Sequence, residues 1–380
     1  MNQLPLNGLI VLEFSQYLSG PSAGLRLADL GARVIKIERP QGGDPCRKLA
    51  VKNLWIDDDA LNFHAINRNK ESFTADLKNK EDLALVKKLI RKADIITHNF
   101  RPGVMEKIGL TYADAKAVNE KIIYAEITGF GRKGPWAQKP GQDLLVQSLS
   151  GLAYTTGSGG GAPVPFGLSA VDTISGIHLV QAVLGALIRR QREGKGAYIE
   201  LSLIESAIGM QFELFTTFFH SKNGIHRSKV NNGNPLLGAP YGIYKTADHF
   251  ISLAMMELRD LAAALGWSEL NTYRQEDVFQ KRDEIKTLIA KKLKTNTTRY
   301  WLERLHRNGL WAAAVYSWKE LDQTEGYKVL KMEQELQAGG KTIRTTRCPI
   351  ILNGKRLVSA KTAPALGADR AAIINHLMEG

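Results

Sequence analysis

Cysteine is scarce in this sequence of 380 residues, which contains only Cys46 and Cys348. Two thiols can form at most one disulfide, and they cannot build a zinc site by themselves. The eight histidines show no ligand spacing of the H-E-x-x-H type. The sequence therefore predicts no metal centre and no disulfide framework.

The sequence also lacks a secretory leader and a long apolar run. Its first residues, Met1 to Leu6, contain no basic segment followed by an apolar one, so we expect no signal peptide. We also expect no segment of the length that is needed to cross a bilayer. These absences predict a cytoplasmic protein with no membrane partner.

Acidic residues are outnumbered by basic ones, and the formal net charge is +13. Such a charge favours an anionic partner, which could be a nucleic acid or a small molecule with several phosphates. The cations are spread along the chain, and no helix-turn-helix or RNP-like pattern accompanies them, so nucleic acid is disfavoured. A solvated basic surface without a specific role also fits this composition.

Alternating strand and helix patterns are present in the first half of the chain. Residues 9–14 predict a buried strand, Gly20-Pro21 begins a helix that Gly31 ends, and a second strand ends at Glu38. A β-α-β unit of this kind implies parallel strands. The turn between strand and helix has one glycine instead of G-x-G-x-x-G, so we exclude NAD binding. Further elements are predicted: a helix at 80–92 and strands at 94–97 and 122–127.

Three regions divide the chain in this interpretation. Residues 1–203 form a large α/β domain, residues 225–325 a smaller α+β domain, and residues 331–380 a segment that returns to the large domain. One long apolar helix over 203–219 leads out of the large domain. Within the small domain we expect a hairpin at 242–253 and helices at 257–265, 281–293 and 298–306.

The stretch from Gly141 to Gly196 concentrates glycines and acidic residues. Asp172 follows a glycine-rich passage and precedes a helical pattern that ends in basic residues and glycines. Asp172 fits the N-cap of that helix, where a carboxylate accepts hydrogen bonds from free N–H groups. It also fits a nucleophile that the helix terminus keeps ionised in a glycine-lined cleft. Local sequence does not separate these two hypotheses.

A wider set of motifs resembles the class III CoA-transferase family, and the resemblance covers nearly the whole chain. The motifs are Asp143, Gln147, Ser150-Gly151, Asp172, Ser175-Gly176 and Gly194-Lys195-Gly196. This resemblance implies a Rossmann-like large domain with a parallel sheet, a smaller α+β domain and an interlocked homodimer. It also implies that CoA moves from an acyl-CoA to a small carboxylic acid through an aspartyl-CoA thioester on Asp172, with Asp143 in a supporting role.

The resemblance further implies where coenzyme A binds as a substrate, with no permanently bound cofactor. The implied CoA contacts are Tyr17, Leu18, Arg39, Ala75, Lys78, Asn99, Phe100, Arg101 and Lys107. Arg39 suits a phosphate, because its guanidinium can bind an oxyanion through two N–H groups.

Two features depart from the oxalate-type members of the family. Leu18 occupies a position where those members have an amide, and a run of glycines in the second domain is missing. One alternative function is a 2-methylacyl-CoA racemase, which needs two acid-base groups. Its pattern has His directly before the first Asp, where this chain has Gln142, which cannot exchange a proton at neutral pH. The other alternative is a non-enzymatic protein that binds nucleotides or nucleic acid.

Overall fold

The computed structural model describes residues 4–378 of the chain. Its strands are β1 Ile10–Glu13, β2 Arg33–Glu38, β3 Trp55–Ile56, β4 Asp59–Ala60, β5 Glu71–Thr74, β6 Ile95–His98, β7 Ile123–Thr128, β8 Ala197–Ser202, β9 Gly242–Lys245, β10 Phe250–Leu253, β11 Ala312–Ala314, β12 Glu333–Ala338, β13 Lys341–Thr346, β14 Ile351–Leu352 and β15 Lys355–Arg356. Its helices are α1 Ser19–Asp29, α2 Leu61–Asn67, α3 Lys80–Lys92, α4 Val104–Ile108, α5 Tyr112–Val118, α6 Asp143–Leu149, α7 Ala170–Glu193, α8 Leu203–Met210, α9 Phe212–His220, α10 Leu258–Leu265, α11 Asp277–Gln280, α12 Arg282–Leu293, α13 Thr298–Arg307, α14 Trp318–Gln323, α15 Glu325–Leu330 and α16 Arg370–Met378.

The described residues divide into two compact units. Unit 1 comprises residues 4–146, 168–210 and 330–378, and unit 2 comprises residues 147–167 and 211–329. The chain therefore leaves unit 1 twice, and residues 147–167 lie in unit 2 although the predicted large domain includes them.

Unit 1 is built on one parallel sheet of six strands in the order β5-β2-β1-β6-β7-β8. In the middle of this sheet, Val11 of β1 lies opposite Val34 on one side and Ile95 on the other. These side chains are almost fully buried, as expected for a parallel sheet with helices on both faces. The sheet confirms the α/β prediction and the parallel arrangement of its strands.

Helix α7 is the longest helix of unit 1. Gly194 follows its last residue as the C-cap, and the φ of 71° there gives the left-handed conformation that glycine adopts without strain. By length and composition α7 is apolar enough to cross a membrane, so the expectation that no segment reaches that length is wrong. It packs against α1, α8, β7 and β8. We therefore interpret α7 as a core helix of unit 1.

Unit 2 contains an antiparallel sheet in the order β11-β10-β9. Helices α10, α12 and α13 contribute the core residues Leu261, Ile285, Ile289 and Trp301, each at most 1% exposed. The indole N–H of Trp301 donates to the carbonyl of Leu293 at 2.7 Å, so this large side chain is buried without an unpaired donor.

The single helix predicted over 203–219 is two helices, α8 and α9, that are separated at Gln211. Gln211 has φ −98° and ψ 23°, which is not helical, and its side-chain amide donates to the carbonyl of Ser150 at 3.2 Å. An apolar pattern alone does not show such a break, because both helices are rich in apolar residues. Cys46 and Cys348 are both buried free thiols.

Candidate active site

The predicted CoA contacts all lie beyond the carboxyl ends of the strands of unit 1, and we call this end of the parallel sheet its carboxyl edge. Each follows the carboxyl end of a strand, and the four strands are neighbours in the sheet. Along the edge the order is Ala75 and Lys78 after β5, Arg39 after β2, Tyr17 and Leu18 after β1, and Asn99, Phe100, Arg101 and Lys107 after β6. Ligands of open parallel sheets bind at this edge, so the topology is consistent with one shared site.

The cations of this edge face solvent. Arg39, Lys78, Arg101 and Lys107 are all exposed. Arg39 is steadied by one bond from its Nη2 to the carbonyl of Gly43, at 3.3 Å. Exposed cations near the carboxyl ends of the strands can contact phosphate groups, and no desolvation free energy is needed to place their charge there.

Asn99 connects two of the loops at this edge. Its Oδ1 accepts from the backbone N–H of Gln16 at 2.8 Å, and its Nδ2 donates to the Gln16 carbonyl at 2.7 Å and to Ser19 Oγ at 3.1 Å. The amide is therefore already used to hold the loop after β6 against the loop after β1. Phe100 beside it is half-buried and stacks on His98, with ring centroids 5.9 Å apart.

Asp172 lies in the first turn of α7 as its third residue, and Ser169 is the N-cap. The prediction that Asp172 itself caps the helix is therefore wrong. Ser169 makes no side-chain cap bond, and Asp143 from α6 serves this end of the helix instead. Its Oδ2 accepts from the backbone N–H of Asp172 at 2.9 Å.

The surroundings of Asp172, including Asp143, change the chemistry of the Asp172 carboxylate. Burial, together with the nearby charge of Asp143, raises the pKa of Asp172 from 3.8 to about 7. Desolvation and the second acid therefore oppose the ionisation of Asp172 that the helix terminus favours. A carboxylate with such a pKa is more basic than an ordinary aspartate and still largely ionised just above neutrality.

Gly176 places the start of α7 against the start of α1. A Cβ at this position would lie 2.3 Å from Ser22 Oγ and 2.9 Å from the carbonyl oxygen of Ser19. Only glycine permits this approach of the two helices. Asp172, one turn earlier in α7, therefore lies beside the helix that begins directly after Leu18.

The glycine-rich passage 157–167 belongs to unit 2. Arg227 holds it through bonds from Nη1 to the carbonyl of Thr156 at 2.6 Å and from Nη2 to that of Gly161 at 3.2 Å. At its end, the N–H of Phe166 donates to Gln147 Oε1 at 2.7 Å. Within residues 4–378, no group of three or more His, Cys, Asp or Glu side chains could hold a metal ion.

A family model described as CoA-transferase family III matches residues 6–370. This chain belongs to CoA-transferase family III. It is an enzyme, and the alternative of a non-enzymatic binding protein is wrong.

Three relatives of this CoA-transferase can be aligned with most of its length. The succinate–glutarate CoA-transferase of Agrobacterium fabrum is 32% identical over 98% of this chain and 96% of that protein. The acetyl-CoA:oxalate CoA-transferase of Acetobacter aceti is 33% identical over 80% of this chain and 79% of that protein. The crystal structure of a CAIB/BAIF family protein from Brucella suis matches with a TM-score of 0.86 and 30% identity, covering 99% and 100% of the two chains.

A network of charged groups that the sequence motifs do not predict lies beneath the loop after β1 of this CoA-transferase. Asp44 Oδ1 accepts from the N–H of Tyr17 at 3.1 Å, and its Oδ2 lies 2.9 Å from Lys36 Nζ. Lys36 also donates to Glu13 at 3.0 Å, and Lys70 reaches Glu13 at 2.9 Å. Burial opposes the charge of Lys36, but Glu13 and Asp44 raise its pKa. This network fixes Tyr17, whose φ of 62° is unusual for a residue with a side chain.

A signal for this network was present in the sequence. Glu13 is the one charged residue of β1, and Lys36 lies between two isoleucines of β2, so each charge must find a partner when its strand is buried. Their partners could not be assigned, because Lys70 is 57 residues from Glu13 along the chain.

Proposed function

We propose that this family III CoA-transferase moves CoA from an acyl-CoA to a small carboxylic acid, with Asp172 as the covalent nucleophile. The observation that carries this proposal is the position of Asp172. It is a partly buried carboxylate in the first turn of α7, paired with Asp143 and next to the helix that begins at the CoA edge of the sheet.

The chemistry follows from these groups. A carboxylate oxygen of Asp172 attacks the thioester carbonyl carbon, the C–S bond breaks, and CoA leaves as a thiolate with the acyl group on a mixed anhydride. The thiolate then attacks the carbonyl carbon of Asp172, which releases the donor acid and leaves an aspartyl-CoA thioester. The acceptor carboxylate reverses both steps and regenerates Asp172. No proton is gained or lost, so no separate acid or base is required.

The proposed role of Asp143 is to orient and tune Asp172. It satisfies one of the N–H groups that have no partner within the helix at the start of α7, and its charge helps to raise the pKa of Asp172. The raised pKa strengthens the nucleophile, because nucleophilicity of a carboxylate increases with its basicity. The exposed cations Arg39, Lys78, Arg101 and Lys107 are proposed to bind the phosphates and adenine end of CoA.

A dicarboxylic acid is the acceptor class that the names of the two enzyme relatives suggest, since those proteins are named for succinate, glutarate and oxalate. Leu18 offers no polar group to an oxalate carboxylate, so we propose succinate or glutarate ahead of oxalate. A panel of acids, scored by mass spectrometry for new acyl-CoA, identifies the acceptor.

The nucleophile is tested with Asp172→Asn, which keeps the size of the side chain and removes its charge. This variant should retain CoA binding and lose acyl exchange almost completely, while Asp143→Asn should be slower but active. The exposed Asp260→Asn serves as the control and should exchange normally.

A direct test uses the wild-type enzyme with acyl-CoA. Hydroxylamine or borohydride should trap an aspartyl-CoA thioester on the peptide that contains Asp172. Near-normal exchange by Asp172→Asn would refute the mechanism. Exchange of the α-hydrogen of 2-methylacyl-CoA for deuterium, without acyl transfer, would support the racemase instead.

We further propose that the enzyme is an interlocked homodimer. Large apolar side chains are exposed on α7, at Ile177 and Ile188, and on α9, at Phe212, Phe218 and Phe219. Phe218 and Phe219 have ring centroids 5.9 Å apart, and a cluster of exposed apolar side chains marks an interaction site. Sedimentation should show a dimer that persists on dilution, and a stable, active monomer would contradict this proposal.

A further inference from the structure

Glu126 is a buried carboxylate on β7 that joins three separate segments of unit 1. It is 1% exposed. Arg132 donates to it twice, with Nε 2.5 Å from Oε1 and Nη2 2.6 Å from Oε2. The Tyr198 hydroxyl donates to Oε1 at 3.0 Å, and His98 Nε2 lies 3.3 Å from Oε2. Although burial disfavours the charge, the hydrogen bonds from Arg132 and the nearby His98 ring lower the pKa of Glu126 to about 2, so it is ionised at neutral pH.

His98 lies between Glu126 and the loop that follows β6. Its Nδ1 accepts from the backbone N–H of Phe100 at 3.4 Å, so the ring proton is on Nε2, which faces Glu126. Within residues 4–378 this buried nitrogen has no hydrogen-bond partner of good geometry, so its contact with Glu126 at 3.3 Å is electrostatic. The ring also stacks on Phe100, with 24° between the two planes, and meets Tyr124 edge-on. The Glu126 carboxylate thus lies against the ring that stacks on Phe100.

Arg132 holds the same loop from its other end. In addition to Glu126, its Nη1 donates to Glu106 of α4 at 2.6 Å. Besides the bonds of Asn99 to Gln16 and Ser19, the segment from 98 to 106 therefore has two attachments that involve Glu126: one through His98 at its start, and one through Arg132 at its end. Asn99, Phe100 and Arg101 lie between them.

We propose that Glu126 is a positioning residue for CoA binding, which fixes the segment 99–101 through His98 and Arg132. This inference rests on the proposed CoA site at that edge of the sheet. Strand β6 is placed in the sheet by backbone pairing with β1 and β7, which does not involve the side chain of Glu126. A buried ion pair is also seldom worth more than apolar packing for stability alone. Its role is therefore in the geometry of the loop.

The inference is tested with Glu126→Gln, which keeps the shape and removes the charge. The fraction of the Nε2–H tautomer of His98, measured by nitrogen-15 NMR, should fall. Amide hydrogen exchange should rise across 99–106 and stay unchanged in β1 and β2. The affinity for CoA should fall about 10-fold or more, because the loop 99–101 is no longer held once Glu126 loses its charge-assisted contacts with Arg132. In turnover, KM for acyl-CoA should rise with kcat changed less than 3-fold.

Two further variants separate positioning from folding. Arg132→Gln replaces a partly exposed side chain, so it should fold even where Glu126→Gln does not, and it should raise exchange over 99–106 in the same way. Tyr198→Phe removes one bond to Glu126 but leaves His98 and Arg132 attached. It should keep CoA affinity within 2-fold of the wild type.

Three results would decide against the inference. Unchanged tautomer and loop exchange in folded Glu126→Gln would overturn it, and so would increased exchange spread evenly over unit 1. Equal losses of CoA affinity in Tyr198→Phe and Glu126→Gln would show that the loss comes from disturbed packing and not from the attachment of the loop. Should the wild type not bind CoA at all, the proposed function fails. The tautomer and exchange results then decide whether Glu126 fixes this loop.

Discussion

The carboxylate of Asp143 accepts a hydrogen bond from the backbone N–H of Asp172 at 2.9 Å. One acid therefore satisfies the helix end on which the other acid lies, and the two charges are held close together. The pairing stabilises the backbone of the first turn of α7 while it opposes ionisation of the Asp172 side chain.

The pH dependence of turnover should report the pKa of Asp172. Because only the ionised carboxylate attacks, kcat/KM for acyl-CoA should rise as the pH increases through about 7. Asp143→Asn removes one charge, and its amide oxygen can still accept the Asp172 N–H. The acid side of the pH–rate profile should then move to lower pH. It should not reach the range of an ordinary aspartate, since burial is the larger cause of the raised pKa. An acid side at the same pH in both proteins would contradict this coupling.

The stability of the fold should change with pH for the same reason. The pKa of Asp172 is higher in the folded state, at about 7, than its ordinary value of 3.8. The native state therefore keeps a proton that the unfolded chain loses, and stability falls as the pH rises from about 4 to about 7. Asp172→Asn should be more stable than the wild type at pH 8 by about 1–3 kcal/mol, with little difference at pH 4. Denaturant unfolding at both pH values measures this, and an equal effect at both would exclude ionisation as its cause.

Removal of Arg39 should weaken CoA binding without unfolding the protein. The side chain is exposed, and its contribution is expected to be a charge-assisted bond of about 1.5–3 kcal/mol, or about 10–100-fold in Kd. Calorimetric titration of CoA into Arg39→Ala and Lys78→Ala measures the loss. Arg91→Ala is the matched control, because the end of α3 lies at the opposite edge of the sheet. Unchanged affinity in both site variants would remove this site assignment.

Gly176 should tolerate no side chain. In Gly176→Ala the new Cβ would overlap Ser22 Oγ and the Ser19 carbonyl, so α1 and α7 must separate, at a cost of about 1–3 kcal/mol. Acyl exchange should fall as well, since Asp172 moves with the start of α7. Gly326→Ala provides the control: it is also helical, and its Cβ would meet nothing within 4 Å. Equal stability of the two variants, measured by thermal unfolding, would show that the helices can separate freely.

Much of the sheet could be predicted because its signals are local. Each strand of unit 1 is a short apolar run, and each loop after a strand is polar or rich in glycine, as in residues 9–14 and 94–97. The parallel arrangement follows from the helices between them. This is enough to place the predicted CoA contacts at one edge, as the structure does.

The sequence by itself therefore determined the α/β class, the family resemblance and the separate positions of Asp143 and Asp172. Tertiary structure alone decided which groups meet. The bond from Asp172 to Asp143 spans 29 residues, and Glu126 lies 28 residues from His98 and 72 from Tyr198. The physical reason is that local propensity fixes helices and strands, whereas pKa values and buried polar contacts depend on desolvation and on partners that only packing brings close.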